Sequence, residues 1–321
     1  MRAKEEIFKQ KQYKKRRQEE KQRLCFERYK RIKVERLDHK NPIKGMKFRK
    51  IIRPIMRLCL LVQRKICGLR IELISEYYEK SDKQIVFVVS HIGKWDFEIV
   101  NEIIKDHFYI IAADFMHMHG NLAGFFMNAF GVIYIDEQDK EDRANSKKMM
   151  EAVLRQSDNI MIFPEGAWNL SENELIYDLA FGCVEVALNT DSVIIPICLE
   201  QYGKRFVINI GKQYIPTDLV TSIQELRDIM ATLKYEIWQH EGIIKRNSIT
   251  YDYWHKFLKE RIGEWHGYDM HDQLINTWLP HKKREYFEIL HDMRRLKITE
   301  KNSFLIMDKE KYIQFLKTKE I

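Results

Sequence analysis

The sequence predicts an α/β fold: a mostly parallel central sheet flanked by helices, with a basic helical N-terminal arm and a helical C-terminal extension. Three observations carry this. From residue 84 onward, short β-branched apolar runs alternate with helical stretches of ten or more residues. The Gly and Pro content, 13 and 6 residues in 321, is too low for a collagen-like or low-complexity chain. The charge is divided: residues 1–40 hold 16 Lys+Arg against 7 Asp+Glu, and residues 41–70 hold nine basic residues and no acid. The first 70 residues therefore carry +18, and the remaining 30 basic and 40 acidic residues carry −10, so the net +8 joins two regions of opposite sign.

The elements follow in chain order. Residues 1–47 form a Lys/Arg/Glu/Gln-rich arm that favours helix between residues 2 and 37. Its apolar residues are too sparse for strong packing. Residues 48–70 form an amphipathic basic helix, with Pro54 either starting or kinking it. At about 100° per residue, Ile51, Ile55, Leu58, Val62, Ile66 and Leu69 share one stripe, and Arg49, Arg53, Arg57 and Arg64 lie opposite. Two placements fit such a helix: flat in a bilayer interface with Arg toward anionic head groups, or stripe on the protein core with Arg in water.

Residues 71–245 form the α/β domain. Its strands are expected at Ile85–Val89, Tyr109–Ala112, Val132–Ile135, Ile160–Ile162, Val193–Cys198 and Phe206–Ile210. Its helices are expected at Trp95–Lys105, Asn121–Phe130, Glu141–Gln156, Leu175–Asn189 and residues 222–241. Phe115–Ile135 has no Asp, Glu, Lys or Arg over 21 residues, long enough to span a bilayer. Its two His, two Asn and three Gly divide it instead into a helix, a Gly131 stop and a strand. Residues 246–321 form the C-terminal extension, helical and without a chemical motif.

Five cysteines without paired spacing argue against a disulfide framework or zinc site, and the absence of an early apolar run argues against a secretory signal. The expected compartment is cytoplasmic.

Three clusters directly follow predicted strands, where open α/β sheets place ligands. Ser90-His91-Ile92-Gly93-Lys94-Trp95-Asp96 offers an imidazole and a carboxylate suited to general-base chemistry. A spacing of five on a straight helix sets the two about 140° apart. They meet only if His91 lies in the turn before the helix and Gly93 lets the chain curl back. Gly131-Val132-Ile133-Tyr134-Ile135-Asp136-Glu137 is a strand ending in two acids, and Phe163-Pro164-Glu165-Gly166-Ala167-Trp168-Asn169 is a Pro-Gly turn presenting Glu165.

His91–Asp96, Gly131–Asp136, Phe163–Gly166 and Val193–Ile197, in this order, resemble the four motif blocks of the glycerolipid acyltransferase family, which includes the lysophosphatidic acid acyltransferases. The resemblance covers about residues 84–212. It implies that His91 takes the proton from an acceptor hydroxyl, with Asp96 orienting and charge-stabilising it. The hydroxyl then attacks the thioester carbonyl of acyl-CoA or acyl-carrier protein, which enter as cosubstrates. A backbone N–H in the Gly93 turn or near Gly166 would stabilise the oxyanion. Glu165 and Gly166 resemble the acceptor-binding loop, and neither a metal nor a resident cofactor is implied.

Two positions depart from the family pattern. The second block usually ends in Arg, where this chain has Glu137; the third usually continues Thr-Arg-Ser, where it has Ala167-Trp168-Asn169. The lost cations weaken the case for a phosphate-bearing acceptor, with Lys94 or Arg143 as partial substitutes. Trp168 and Asn169 suit stacking on, and hydrogen bonding to, a sugar. The reading is therefore an O-acyltransferase of phospholipid or glycolipid metabolism, peripheral on the inner face of the cell membrane. Its basic region would meet an anionic membrane or acyl-carrier protein. The competing classes are a nucleic-acid-associated protein and a catalytically dead lipid-binding relative. Few aromatics in residues 1–70 argue against the first, and intact His91 and Asp96 against the second.

Overall fold

The computed structural model describes residues 46–113, 122–136, 139–166, 168–169 and 175–241, with isolated helical positions between 12 and 27. The extension 246–321 and most of the arm lie outside the described residues.

Six helices and seven strands make up the described domain: α1 (Met46–Cys67), β1 (Arg70–Leu73), β2 (Ile85–Val89), α2 (Asp96–Ile103), β3 (Phe108–Ala113), α3 (Leu122–Phe130), β4 (Val132–Ile135), α4 (Lys140–Arg155), β5 (Asn159–Ile162), α5 (Gly182–Thr190), β6 (Val193–Tyr202), β7 (Arg205–Ile210) and α6 (Leu219–Glu241). The strands form one sheet in the order β1-β7-β6-β2-β5-β3-β4. Every neighbouring pair is parallel except β6 and β7, which form a hairpin.

The central strand β2 is buried at all five positions, as expected of a parallel strand covered on both faces. Val86 and Val88 pack with α4, α5 and α6, while Ile85, Phe87 and Val89 pack with α2, Phe108 and Phe130. Gly131 stops α3 with φ +116°, and the Tyr109 ring lies 3.1 Å from where a side chain would begin, so only glycine fits.

Three expectations are corrected. Strand β1 was not foreseen. At the sheet edge, Arg70-Ile-Glu-Leu73 is only half-buried and has no apolar run to mark it. The helix expected over Leu175–Asn189 begins only at Gly182. Leu175, Ile176, Tyr177 and Leu179 are all buried, more nearly consecutive than one helix face allows.

The third correction is the orientation of α1. Its apolar stripe faces outward: Ile51, Ile55, Leu58, Val62 and Ile66 are all exposed, Ile66 by 80%. Its arginines dock on the domain. Arg53 Nη2 donates to the Ile104 carbonyl (2.9 Å), and its guanidinium lies over the rings of Phe108 (4.7 Å) and Phe130 (5.2 Å). Arg57 donates to the Glu102 carbonyl (2.8 Å), and Arg64 grips the Glu102 carboxylate with two nitrogens (2.6 and 3.0 Å). Carbonyls at the end of α2 and the two ring faces all attract cations, so the basic face is the one this surface selects. Arg53 is buried and Arg57 and Arg64 are half-buried against the domain, whereas the two sequence placements turned the arginine face to head groups or to water.

Candidate active site

The site lies where β2 leaves the sheet. Ser90 fastens the strand end to β6: its N–H donates to the Ile197 carbonyl (3.0 Å), and its Oγ accepts the Leu199 N–H (3.1 Å). The next three residues turn, and Asp96 opens α2. This resolves the spacing problem. His91 precedes the helix, and the Asp96 carboxylate folds back over the turn. Asp96 Oδ2 lies 2.7 Å from His91 Nδ1 and accepts the N–H groups of Ile92 (2.6 Å) and Gly93 (2.9 Å). All three contacts converge on this one oxygen, at the N-terminus of α2.

A carboxylate only accepts, so the Nδ1 of a neutral His91 carries its proton and Nε2 keeps a lone pair. The His91 side chain is 22% exposed, whereas that of Asp96 is 1% exposed. The imidazole stacks on Phe163 (centroids 4.1 Å, 16° between planes) and meets Trp168 edge-on at 6.0 Å. The ring is thus held at Nδ1 by Asp96 and on one face by Phe163, with Nε2 on the side away from Asp96.

The loop after β5 grips the backbone of His91 as well. Glu165 Oε1 accepts the His91 N–H (3.0 Å), and the Asn169 N–H donates to the His91 carbonyl (2.7 Å). Glu165 Oε2 accepts the Tyr177 N–H (3.0 Å) and an Asn169 side-chain proton (3.3 Å). Burial pushes the Glu165 carboxyl up from its ordinary range, while nearby Lys234 and the two backbone donors pull it down. Asn169 also donates to the Leu175 carbonyl (3.1 Å).

These bonds revise the roles expected of several residues. Glu165 and Asn169 are buried and brace the His91 turn, so they do not face an acceptor. Trp168 is 8% exposed and packs beside the imidazole, inconsistent with an open stacking platform for a sugar. The Gly93 N–H is committed to Asp96 and the Gly166 N–H to the Phe163 carbonyl (3.2 Å), so neither serves an oxyanion. Gly93 keeps its turn role, and Gly166 is exposed with φ +66°. Lys94 is exposed, its ammonium 5.3 Å from the Trp95 ring. In the second block, Asp136 is buried and its N–H donates to Asp142 (2.6 Å). Glu137 and Ala167 lie outside the described residues.

Two contributors were missed from sequence. Tyr177 supplies a backbone N–H, which leaves no sequence signal. Lys234 is fully buried in α6 on a face shared with Met230 and Ile237, and a lysine at helical spacing within an apolar stripe is a signal that was available. Among the described residues, Glu72, His240 and Glu241 are close enough to share a metal. They lie at the β1–β7 edge, where Arg205 already bonds both carboxylates.

Residues 70–200 match the family model described as Acyltransferase, a span that begins at the unforeseen β1. The 1-acyl-sn-glycerol-3-phosphate acyltransferase alpha of Mus musculus is 26% identical over 149 residues, covering 46% of this chain and 51% of its own. The 1-acyl-sn-glycerol-3-phosphate acyltransferase of Borreliella burgdorferi is 24% identical over 160 residues, covering 49% and 61%. An uncharacterized acyltransferase of Schizosaccharomyces pombe is 24% identical over 142 residues, covering 44% and 50%. The chain thus spans about half to three-fifths the length of these curated relatives. The crystal structure of the 1-acyl-sn-glycerophosphate (LPA) acyltransferase PlsC from Thermotoga maritima has a similar fold (TM-score 0.50, 10% identity), covering 70% of this chain and 98% of that one.

Proposed function

We propose, from the match of residues 70–200 to the Acyltransferase family model and the similarity to 1-acyl-sn-glycerol-3-phosphate acyltransferases, that this protein transfers a fatty acyl group from a thioester to a lipid hydroxyl. The observation that carries the reading is the His91–Asp96 pair, with Nδ1 held at 2.7 Å and the ring partly exposed. His91 Nε2 takes the acceptor O–H proton as the oxygen attacks the thioester carbonyl, and the ionised Asp96 stabilises the imidazolium. As the tetrahedral intermediate collapses, the new C–O bond remains and the C–S bond breaks. The leaving thiolate recovers the proton from His91, so no net proton is gained or lost. The donor is acyl-CoA or acyl-carrier protein.

The acceptor is a hydroxyl-bearing head group other than lysophosphatidic acid, such as a glycolipid. The support lies in the sequence: Glu137 stands where the family pattern has Arg, and Ala167-Trp168-Asn169 where it has Thr-Arg-Ser, so two cations suited to a phosphate are absent. Incubation with palmitoyl-CoA and either lysophosphatidic acid or a hexosyl diacylglycerol tests this by mass spectrometry of the ester. Faster acylation of lysophosphatidic acid would overturn the acceptor assignment, and no ester with any hydroxyl lipid would overturn the enzyme reading.

The protein works at an anionic membrane through α1. Its exposed stripe runs Phe48, Ile51, Ile55, Leu58, Val62 and Ile66, with exposed Lys47 and Lys65 near its two ends. An apolar band with cationic flanks fits an anionic bilayer interface. No helix among the described residues is long and apolar enough to cross a membrane. Replacing Ile55, Leu58 and Val62 with Ser leaves the arginine docking intact and is expected to abolish flotation with phosphatidylglycerol vesicles. Unchanged flotation would remove α1 from the role.

A further inference from the structure

We propose that Phe125 and Phe126 of α3 insert into an anionic bilayer beside α1 and hold the edge of the sheet that carries His91 against the lipid. This rests on reading α1 as the membrane-facing helix and His91 as the base.

Helix α3 carries no charged residue. Its inner face is Gly124, Met127 and Phe130, spaced three apart: Gly124 and Phe130 are buried, and Met127 packs on the same side of the sheet as α2. Phe125 and Phe126 turn the other way, 67% and 39% exposed, with ring centroids 5.8 Å apart. Two neighbouring exposed phenylalanines on an uncharged helix make an apolar patch of the kind that marks an interaction site.

The patch adjoins the α1 stripe. The two helices pack on each other, and Arg49 Nε of α1 donates to the Asn128 carbonyl of α3 (3.1 Å). Phe48 and Ile51, exposed members of the stripe, lie on the same turn of α1 as Arg49. Neither helix holds an acid, whereas the 30 basic and 40 acidic residues after position 70 give the rest of the chain a net −10. An anionic bilayer offers an apolar interior to the rings and negative head groups to Lys47 and Lys65. An acidic protein or a nucleic acid would meet the charges and leave the rings in water.

The topology sets this patch toward the site. β2, β5, β3 and β4 all run parallel, so their C-terminal ends share one edge, where His91 follows β2. α3 leads from that edge, after β3, back to Gly131 at the start of β4. Phe125 and Phe126 lie in α3 up to its midpoint, on the side of the His91 edge. Phe97, next to Asp96, meets Phe130 edge-on at 5.0 Å and ties α3 to the helix that Asp96 opens. Interfacial helices seat their apolar face about 5–10 Å into the head-group and acyl boundary. A lipid hydroxyl lies at that level, so an acceptor reaches Nε2 with its chains still in the bilayer.

Photocrosslinking tests the insertion without turnover. The full chain carries p-benzoylphenylalanine in place of Phe125 or, as a control, in place of Val220, which is exposed on α6 across the sheet. Each protein is irradiated with phosphatidylglycerol vesicles, and adducts are identified by mass spectrometry. A lipid adduct is expected at position 125 and none at position 220. Equal lipid adducts at both, no lipid adduct at 125, or an adduct there to a second copy or to another segment of this chain overturns the proposal. In parallel, Phe125→Ser/Phe126→Ser is expected to lower ester formation on a hexosyl diacylglycerol in vesicles by about tenfold. Its rate on a monomeric short-chain hexosyl diacylglycerol stays within about twofold of wild type. Equal losses on both acceptors, or no loss on either, overturn the delivery role. A wild type that does not float with the vesicles defeats the membrane reading of α1, whereas one that floats without a lipid adduct at 125 defeats only this proposal. A lipid adduct in a protein inert toward acyl thioesters overturns only the acyltransferase reading.

Discussion

The domain holds two His–Asp pairs of equal length at opposite edges of one sheet. His91 and Asp96 meet after the C-terminal end of β2, and His107 and Asp158 meet before the N-terminal ends of β3 and β5; both have Nδ1 to Oδ2 distances of 2.7 Å. Each imidazole stacks on a phenylalanine, Phe163 in the first and Phe130 in the second. Their surroundings differ. The His91 side chain is 22% exposed, whereas that of His107 is 7% exposed, with a buried Nε2 that has no hydrogen-bond partner. Asp158 also faces Lys50 of α1 at 3.7 Å, so the second pair helps seat that helix. Imidazole and carboxylate at bonding distance do not make a general base: Nε2 must also be reachable by substrate.

The carboxylates separate the pairs most sharply. Asp96→Asn removes the charge that stabilises an imidazolium, and turnover is expected to fall about 10²-fold or more. Asp158→Asn is expected to leave turnover within about twofold while lowering stability by about 1–3 kcal/mol, measured by urea unfolding. Comparable turnover losses in the two variants would break the contrast. His107→Ala is next, with an expected stability loss of about 2 kcal/mol and full acyl transfer. Carbethoxylation by diethyl pyrocarbonate, mapped by mass spectrometry, should modify His91 well before His107; simultaneous modification would mean that their access does not differ.

The smallest effect concerns Glu98, beside the first pair on α2. Burial, and secondarily the Asp96 carboxylate, push its carboxyl up to about 7 from an ordinary 4.5. The folded state thus keeps this proton after the unfolded chain has lost it, and the contribution to stability falls as pH rises from 4.5 to 7. Glu98→Gln should raise the melting temperature at pH 8 by about 2–4 °C and leave it nearly unchanged at pH 4. A lower melting temperature at pH 8 would contradict this assignment.

The sheet was largely legible because its inner strands are continuous apolar runs between turn signals. Edge strand β1 escaped because half-burial leaves no such run. The first His–Asp pair was legible because its partners lie five residues apart just after a predicted strand. The second was not, since His107 and Asp158 meet only through the pairing of β3 with β5. Glu165 was found but given the wrong surroundings: its burial depends on Tyr177 and α6, which no local pattern links to it. The periodicity of α1 located its two faces correctly. Which face docks was decided by what the domain offers, the Ile104 and Glu102 carbonyls and the Phe108 and Phe130 rings.

The most direct test of the central claim is transfer of a ¹³C-labelled acyl group from palmitoyl-CoA to a hydroxyl lipid, read as labelled ester. Wild type, His91→Ala and His107→Ala are compared after circular dichroism shows each to be folded. The account predicts labelled ester from wild type and His107→Ala, and a loss of about 10³-fold or more from His91→Ala. Labelled ester from His91→Ala at the wild-type rate would contradict it.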